Sequence, residues 1–374
     1  MSAAADATIL AGLRIGLVGP LPPPEGGMAN QTRQLAHLLE AEGARVELVR
    51  VNSPYRPAWA GRLKGVRALF RLVPYLVRLW RCAGRVRLLH VMANSGWSWH
   101  LFAAPAVWIA RARGIPVVVN YRGGEAAEFL ARSARWVRAT MNAAALLAVP
   151  SGFLQEVFAR HGMDAVVLPN VIDLSRFRLR QRAATAAPRL VVARNLEPLY
   201  DVASALRAFA RVRAAIPGAL LAVAGGGPQA GALRGLAASL GVADAVEFTG
   251  RLDPQRMAAL YERCDLMINP SLADNMPNSL LEALACGLPV VSTRVGGIPH
   301  LVRDGVHALL VPPGDAGAMA DAVLGLLADP AAAARLAQAG REEVGQYAWP
   351  RVRGRLAALY RGVLMSFEAR VTPA

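Results

Sequence analysis

Short apolar runs alternate with helix-length stretches along this chain, in two successive blocks. In the first block, runs at 13–19, 45–51, 87–92, 116–121 and 144–151 read as strands, with helical stretches at 29–42, 102–113 and 152–161. An Ala/Arg-rich segment, 178–188, reads as a linker. The pattern then resumes with strands at 189–194, 219–224, 246–251, 266–269 and 289–292, and helices at 202–214, 232–240 and 257–263. Most of these runs are apolar at consecutive positions, as strands covered on both faces must be. The sequence therefore predicts an α/β chain with two doubly wound, Rossmann-like parallel sheets. The expected domains are 1–180 and 181–349, followed by a basic helix within 350–374. A chain of 374 residues exceeds one ordinary core, in keeping with two domains.

In open α/β sheets, ligands collect beyond the carboxyl ends of the strands, so candidate residues lie there. The first strand leads into Gly26-Gly27, just before a helix, where glycines let a phosphate approach the backbone. That loop lacks G-x-G-x-x-G, which argues against a dehydrogenase. His90 reads as a structural histidine. Arg122, in Tyr121-Arg122-Gly123-Gly124, cannot act as a base near neutral pH but can neutralise a phosphate or hold a carboxylate. The richest stretch is 269–297. Its helix starts at Pro277, carries Leu280, Leu281, Leu284 and Ala285 on one face, and stops at Gly287 before Pro289. The unpaired N–H groups near Pro277 to Leu280 form a seat for an anion. Asp274 stands just before that seat and Glu282 over a turn inside the helix. A nucleotide sugar, with sugar and ribose on either side of a diphosphate, has the matching shape.

The string Asp274-x7-Glu282 followed by Ala-Leu-Ala-Cys-Gly-Leu-Pro-Val-Val closely resembles the Glu-x7-Glu signature of the family-4 retaining glycosyltransferases (glycosyl transferases group 1). These have the GT-B fold, two Rossmann-like domains facing each other across a cleft. The similarity spans nearly the whole chain, strongest in 166–177 and 269–297 and weakest in 52–115. It implies a nucleoside-diphosphate-sugar donor, with a glycan or lipid-linked glycan as acceptor in polysaccharide, lipopolysaccharide or glycolipid synthesis. Arg194 matches the family's diphosphate-binding arginine. The lysine expected five residues on is absent, and Leu199 or Tyr200 stands near its place. Arg122 stands where the family commonly has histidine, and it or the Gly26-Gly27 backbone is expected to supply the missing contact. By the same resemblance, Asp274 contacts sugar hydroxyls, Glu282 the ribose, and Asn275, Met276, Pro277, Asn278 and Ser279 line the diphosphate seat. Gly226, Arg251 and Leu252 lie where relatives hold the nucleotide. The catalytic set is then Asp274, Arg122 and Arg194, with substrate-assisted front-face displacement and no enzyme nucleophile. No Asp-x-Asp pair occurs, so neither a metal nor another cofactor is expected. The last helix is expected to return to the first domain.

The net charge of +16 is concentrated in 1–180, which holds 23 Lys+Arg against 10 Asp+Glu, and there is no acid between Glu47 and Glu125. Such a surface calls for a polyanionic partner. Residues 59–87 read as a basic amphipathic helix with Leu63, Val66, Leu69, Phe70 and Val73 on one face, kinked or divided at Pro74. That suits an anionic membrane surface; the plain alternative is an ordinary helix with solvated arginines. Three scattered cysteines suggest a reducing compartment. Residues 1–7 do not resemble a signal peptide, and 88–110 is too interrupted to span a membrane. The expected location is cytoplasmic, peripheral at the inner membrane face. Two rival readings are another GT-B enzyme, such as a sugar-nucleotide epimerase, and a basic nucleic-acid-binding protein. The Asp/Glu pattern disfavours the former. The lack of an aromatic-interleaved basic motif disfavours the latter.

Overall fold

A computed structural model describes residues 9–23, 26–55, 59, 67–179 and 187–371. It divides into two compact units, residues 1–171 with 349–374, and residues 172–348. The division falls nine residues before the 180/181 boundary read from the sequence. The reason is packing: Ile172 and Phe177 are buried with Tyr261 and Leu280 in the core of the second unit.

In the first unit, strands β1 (Arg14–Gly19), β2 (Arg45–Arg50), β3 (Leu88–Ala93), β4 (Val117–Tyr121), β5 (Leu146–Val149) and β6 (Val166–Val167) form one parallel sheet. Their order is β2-β1-β3-β4-β5-β6, so the winding reverses between β1 and β3. One face is covered by the helices Arg67–Ala83, Ala104–Ala112 and Ala126–Met141, whose Tyr75, Leu79, Val107 and Leu130 are buried against the sheet. The other face takes the helices Gly27–Ala41 and Trp349–Val371 through Leu35, Leu39, Leu356 and Tyr360. The last helix is tied down further by Glu42, which accepts from Trp349 Nε1 at 2.9 Å and from Arg353 Nη1 at 3.1 Å.

The helix through Pro74 is undivided from Arg67 to Ala83, and Pro74 itself lies on its exposed side. Its buried stripe is Tyr75, Leu79 and Cys82 rather than the face expected from the sequence. Leu69 and Val73 point outward, while Leu63 and Val66 lie outside the described residues. The covered side is thus set by the sheet, and the helix keeps a second apolar stripe to spare.

In the second unit, β7 (Arg189–Ala193), β8 (Leu220–Ala224), β9 (Val246–Gly250), β10 (Leu266–Asn269), β11 (Val290–Thr293) and β12 (Leu309–Val311) are again all parallel. Their order is β12-β11-β10-β7-β8-β9, so the reversal falls between β7 and β10. Buried Val191, Met267 and Val290 carry the continuous apolar character that a doubly covered sheet demands.

Candidate functional site

The reversal between β7 and β10 is where two strand ends open a crevice between diverging connections, the usual ligand position in such sheets. Arg194 follows β7 and Ser271 follows β10. Arg194 Nε donates to Ser271 Oγ at 2.9 Å, and Nη1 donates to Ser279 Oγ at 3.3 Å. Nη2 forms an ion pair with the Asp274 carboxylate, and both side chains are largely buried. The guanidinium lies 4.6 Å from the Tyr200 ring centroid. Burial lowers the Arg194 pKa to about 10, which still leaves a full cation at neutral pH.

Tyr200 therefore occupies the neighbourhood in which the sequence comparison sought a lysine. It supplies a π face beneath the arginine in place of a second positive charge. Asp274 is also more committed than its sequence position suggested. Besides pairing with Arg194, its Oδ1 accepts from the Asn275 backbone N–H at 2.9 Å.

Glycines make this crowding possible. Gly296 has φ +51°, and a Cβ there would meet the Asp274 carbonyl oxygen at 2.1 Å. A Cβ on Gly297 would meet the Asn275 carbonyl oxygen at 1.9 Å. The Gly296-Gly297 turn thus presses on the Asp274 loop, and Gly297 N–H donates to the Asp274 carbonyl at 2.8 Å. Behind Arg194, Gly225 and Gly227 bring the end of β8 equally close to the Arg194 and Leu196 carbonyls. Gly226 lies beneath the exposed Arg251 side chain, with half-buried Leu252 next along the chain.

The helix beside the cluster runs Asn278–Ala285, with Pro277 as its N-cap rather than its first residue. Pro277 supplies no side-chain cap, and its carbonyl accepts from Leu280 and Leu281 N–H at 3.1 and 3.3 Å, so these two amides of the seat read from the sequence are already paired. Leu280, Leu281 and Leu284 anchor it in the core, which holds its amino end toward Arg194. Glu282 sits one turn in, with Tyr261 Oη 3.2 Å from its Oε2 and 3.3 Å from the Ser279 carbonyl. Although part of Glu282 is accessible, burial of its carboxyl pushes its pKa up to about 7, opposed by Tyr261, Arg176 and Arg194.

This has a pH consequence. The ordinary value is 4.5, so folding favours the protonated acid. That stabilisation is complete below about pH 4.5 and is lost as the pH rises through about 7. Glu282→Gln should raise the Tm at pH 8 and leave it near the wild-type value at pH 4.5. A Tm at pH 8 no higher than wild type would contradict burial as the cause.

The remaining candidates belong to the first unit. Gly27 begins the Gly27–Ala41 helix, with Gly26 extended at its cap. Arg122 follows β4; its Nε donates to Asn120 Oδ1 at 3.1 Å, and Nη1 donates to Asn170 Oδ1. Burial lowers its pKa to about 10, and no carboxylate pairs with it among the described residues. His90 is fully buried, with Nδ1 2.8 Å from Tyr360 Oη and Nε2 3.0 Å from Asn120 Nδ2. Burial, then Arg122, depresses its pKa to about 3, so it is a neutral structural histidine, as its sequence position suggested. Ser271 and Tyr261 carried no signal in the sequence, because their roles arise only from the meeting of separate strand ends.

No group of three His, Cys, Asp or Glu able to hold a metal occurs among the described residues. No single described helix is long and apolar enough to cross a membrane.

Comparison with known proteins identifies the family. Residues 25–176 match the family model described as Glycosyltransferase Family 4, and residues 187–329 that described as Glycosyl transferases group 1. The chain is 31% identical over 352 residues to a GDP-mannose-dependent alpha-(1-6)-phosphatidylinositol monomannoside mannosyltransferase of Mycolicibacterium smegmatis, covering 84% of this chain and 92% of that protein. It is 35% identical over 224 residues to a D-inositol 3-phosphate glycosyltransferase of Saccharomonospora viridis, spanning about half that relative's length (52%) and 55% of its own. A sucrose-phosphate synthase structure from Thermosynechococcus elongatus shares the fold with a TM-score of 0.74 at 22% identity, over 95% of this chain and 100% of that one. The chain therefore belongs to the family-4, group 1 glycosyltransferases and has their GT-B fold.

Proposed function

We propose that this glycosyltransferase moves a hexosyl or related residue from a nucleoside-diphosphate sugar to a glycan or lipid-linked acceptor, with retention at the anomeric carbon. The observation that carries the reading is the Arg194 cluster at the β7/β10 reversal, beside the amino end of the Asn278–Ala285 helix. A buried cation and the positive end of a helix match a diphosphate and the charge that grows on it as the sugar departs. Residues 275–279 line the diphosphate, Glu282 accepts from ribose hydroxyls, and Gly226, Arg251 and Leu252 flank the base.

In the reaction, the bond from the anomeric carbon to the β-phosphate oxygen breaks. An acceptor oxygen bonds to that carbon from the same face, and its proton passes to the departing phosphate. The protein supplies no nucleophile and no metal in this scheme. Asp274, held by Arg194, is poorly placed to attack and instead sets the arginine's position and meets sugar hydroxyls. Arg122 provides an anion contact on the first unit. Incubating the chain with UDP-, GDP- and ADP-sugars should give thermal stabilisation and acceptor-dependent nucleotide release with one of them. Failure with every donor would overturn the proposal.

The acceptor side favours a membrane. Leu69, Val73, Val77 and Trp80 recur on the outer side of the Arg67–Ala83 helix at 44–55% exposure, with Arg78 and Arg81 exposed among them. An amphipathic helix without acidic residues fits the anionic face of a bilayer, which supports a peripheral position on the cytoplasmic side. It should sediment with phosphatidylglycerol vesicles but not with phosphatidylcholine vesicles, and Val77→Ser/Trp80→Ser should weaken this about tenfold. Equal sedimentation of wild type and variant would rule out this surface.

A further inference from the structure

The first unit has its own reversal point, between β1 and β3, and a cavity of about 290 Å³ opens there. It is lined by Val18 and Pro20 from the β1 end, Val51 and Asn52 beyond β2, and Met92 and Asn94 at the β3 end. Its far wall is Phe102 and Ala103, which belong to a π-helical turn, Trp99–Ala103. Such turns are rare and concentrate at functional positions. Here the Phe102 carbonyl is held by the Tyr75 hydroxyl at 2.7 Å, so the wall is fixed to the neighbouring helix.

Among the described residues, one charged side chain reaches this largely apolar space: Arg71, from the inner side of the Arg67–Ala83 helix. Its guanidinium lies 4.2 Å from the Tyr55 ring centroid, and Nε donates to the Ser53 carbonyl at 3.0 Å. No carboxylate pairs with it among the described residues. Among the described residues, Nη1 and Nη2 have no hydrogen-bond partner, and they stand beside an apolar hollow. The volume is at the lower limit for ligand pockets, enough for a headgroup and a short alkyl segment and too small for a whole nucleotide sugar.

We propose that this cavity binds an amphiphilic phosphate. The phosphate would lie on Arg71 Nη1 and Nη2, and its first methylenes would lie against Val51, Met92, Phe102 and Ala103. Its identity as the acceptor's lipid-phosphate end rests on the glycosyl-transfer reading; the binding itself does not. The same helix would then present an apolar stripe outward and the phosphate contact inward.

Octyl phosphate, below its micellar concentration, tests this by titration calorimetry against octanol and inorganic phosphate. Wild type should bind octyl phosphate at least tenfold more tightly than either control. Arg71→Gln should lose about tenfold or more, because a charge-assisted pair is removed. Val51→Phe, which fills the cavity mouth, should lose a similar factor. Unchanged binding in Arg71→Gln, or none in wild type, overturns the proposal. Equal affinity for inorganic phosphate leaves an adventitious anion site only. Stabilisation by GDP-mannose or UDP-glucose, measured on the same samples, reports on the donor reading separately: octyl phosphate bound without any donor binding would preserve the cavity and sink the transfer reaction.

Discussion

Arg194→Ala should reduce kcat/KM by about 10²–10³-fold, the usual loss when one donor to a developing oxyanion is removed. It should also destabilise the fold, because Asp274 would remain buried without its cation. Breaking one side of a buried pair costs about 3–5 kcal/mol, and the slight exposure of both side chains places the expectation near the lower end, about 3 kcal/mol. Chemical unfolding and nucleotide release should separate the two effects. In the double variant Arg194→Ala/Asp274→Asn, most of the stability should return and the turnover should not. A single variant as stable as wild type would show that Asp274 finds water or another partner.

The second large effect is expected at Gly225, far less conspicuous than a charged residue. A Cβ there would lie 1.8 Å from the Arg194 carbonyl oxygen, and φ is +155°, a value side-chain-bearing residues rarely adopt. The obstruction is backbone, so no rotamer change relieves it. Gly225→Ala should cost about 3 kcal/mol or more, as overlap and dihedral strain combine. Donor affinity should fall with it, because the displaced backbone carries Arg194. Gly231→Ala is the control: its Cβ meets nothing within 4 Å and it lies in the Ala230–Ser239 helix. There alanine should be neutral or stabilising by about 0.5–1 kcal/mol. Equal destabilisation at both positions would discredit the steric argument.

The two sheets were readable because strands such as 146–149 and 220–224 are apolar at every position, a pattern that surface elements do not produce. The Asp274–Glu282 string was readable because acids, a helix stop and a strand follow each other at fixed spacing. Other features depend on what meets across the fold. Nothing near Tyr200 announces that its ring lies under Arg194, since the pairing is made by a loop after β7. Likewise, Arg194 and Asp274 read as separate ligand contacts, eighty residues apart in the chain, and only the folded unit joins them. The Arg67–Ala83 helix misled in a different way. It is apolar on two sides, so periodicity located an amphipathic helix without revealing which side the sheet covers. The stretch 298–348, rich in alanine, gave no clear period and no reading, although it holds β12 and two long helices.

The return of the Trp349–Val371 helix to the first unit matters for anyone recombining such enzymes. A fragment stopping at residue 171 would lack Leu356 and Tyr360, exposing Leu35, Leu39 and the ring of His90 to solvent. Residues 172–348, by contrast, are one uninterrupted insert. Exchanging the second unit between relatives is therefore best attempted as that internal cassette with both flanks retained, since a simple head-to-tail fusion would orphan the host's closing helix.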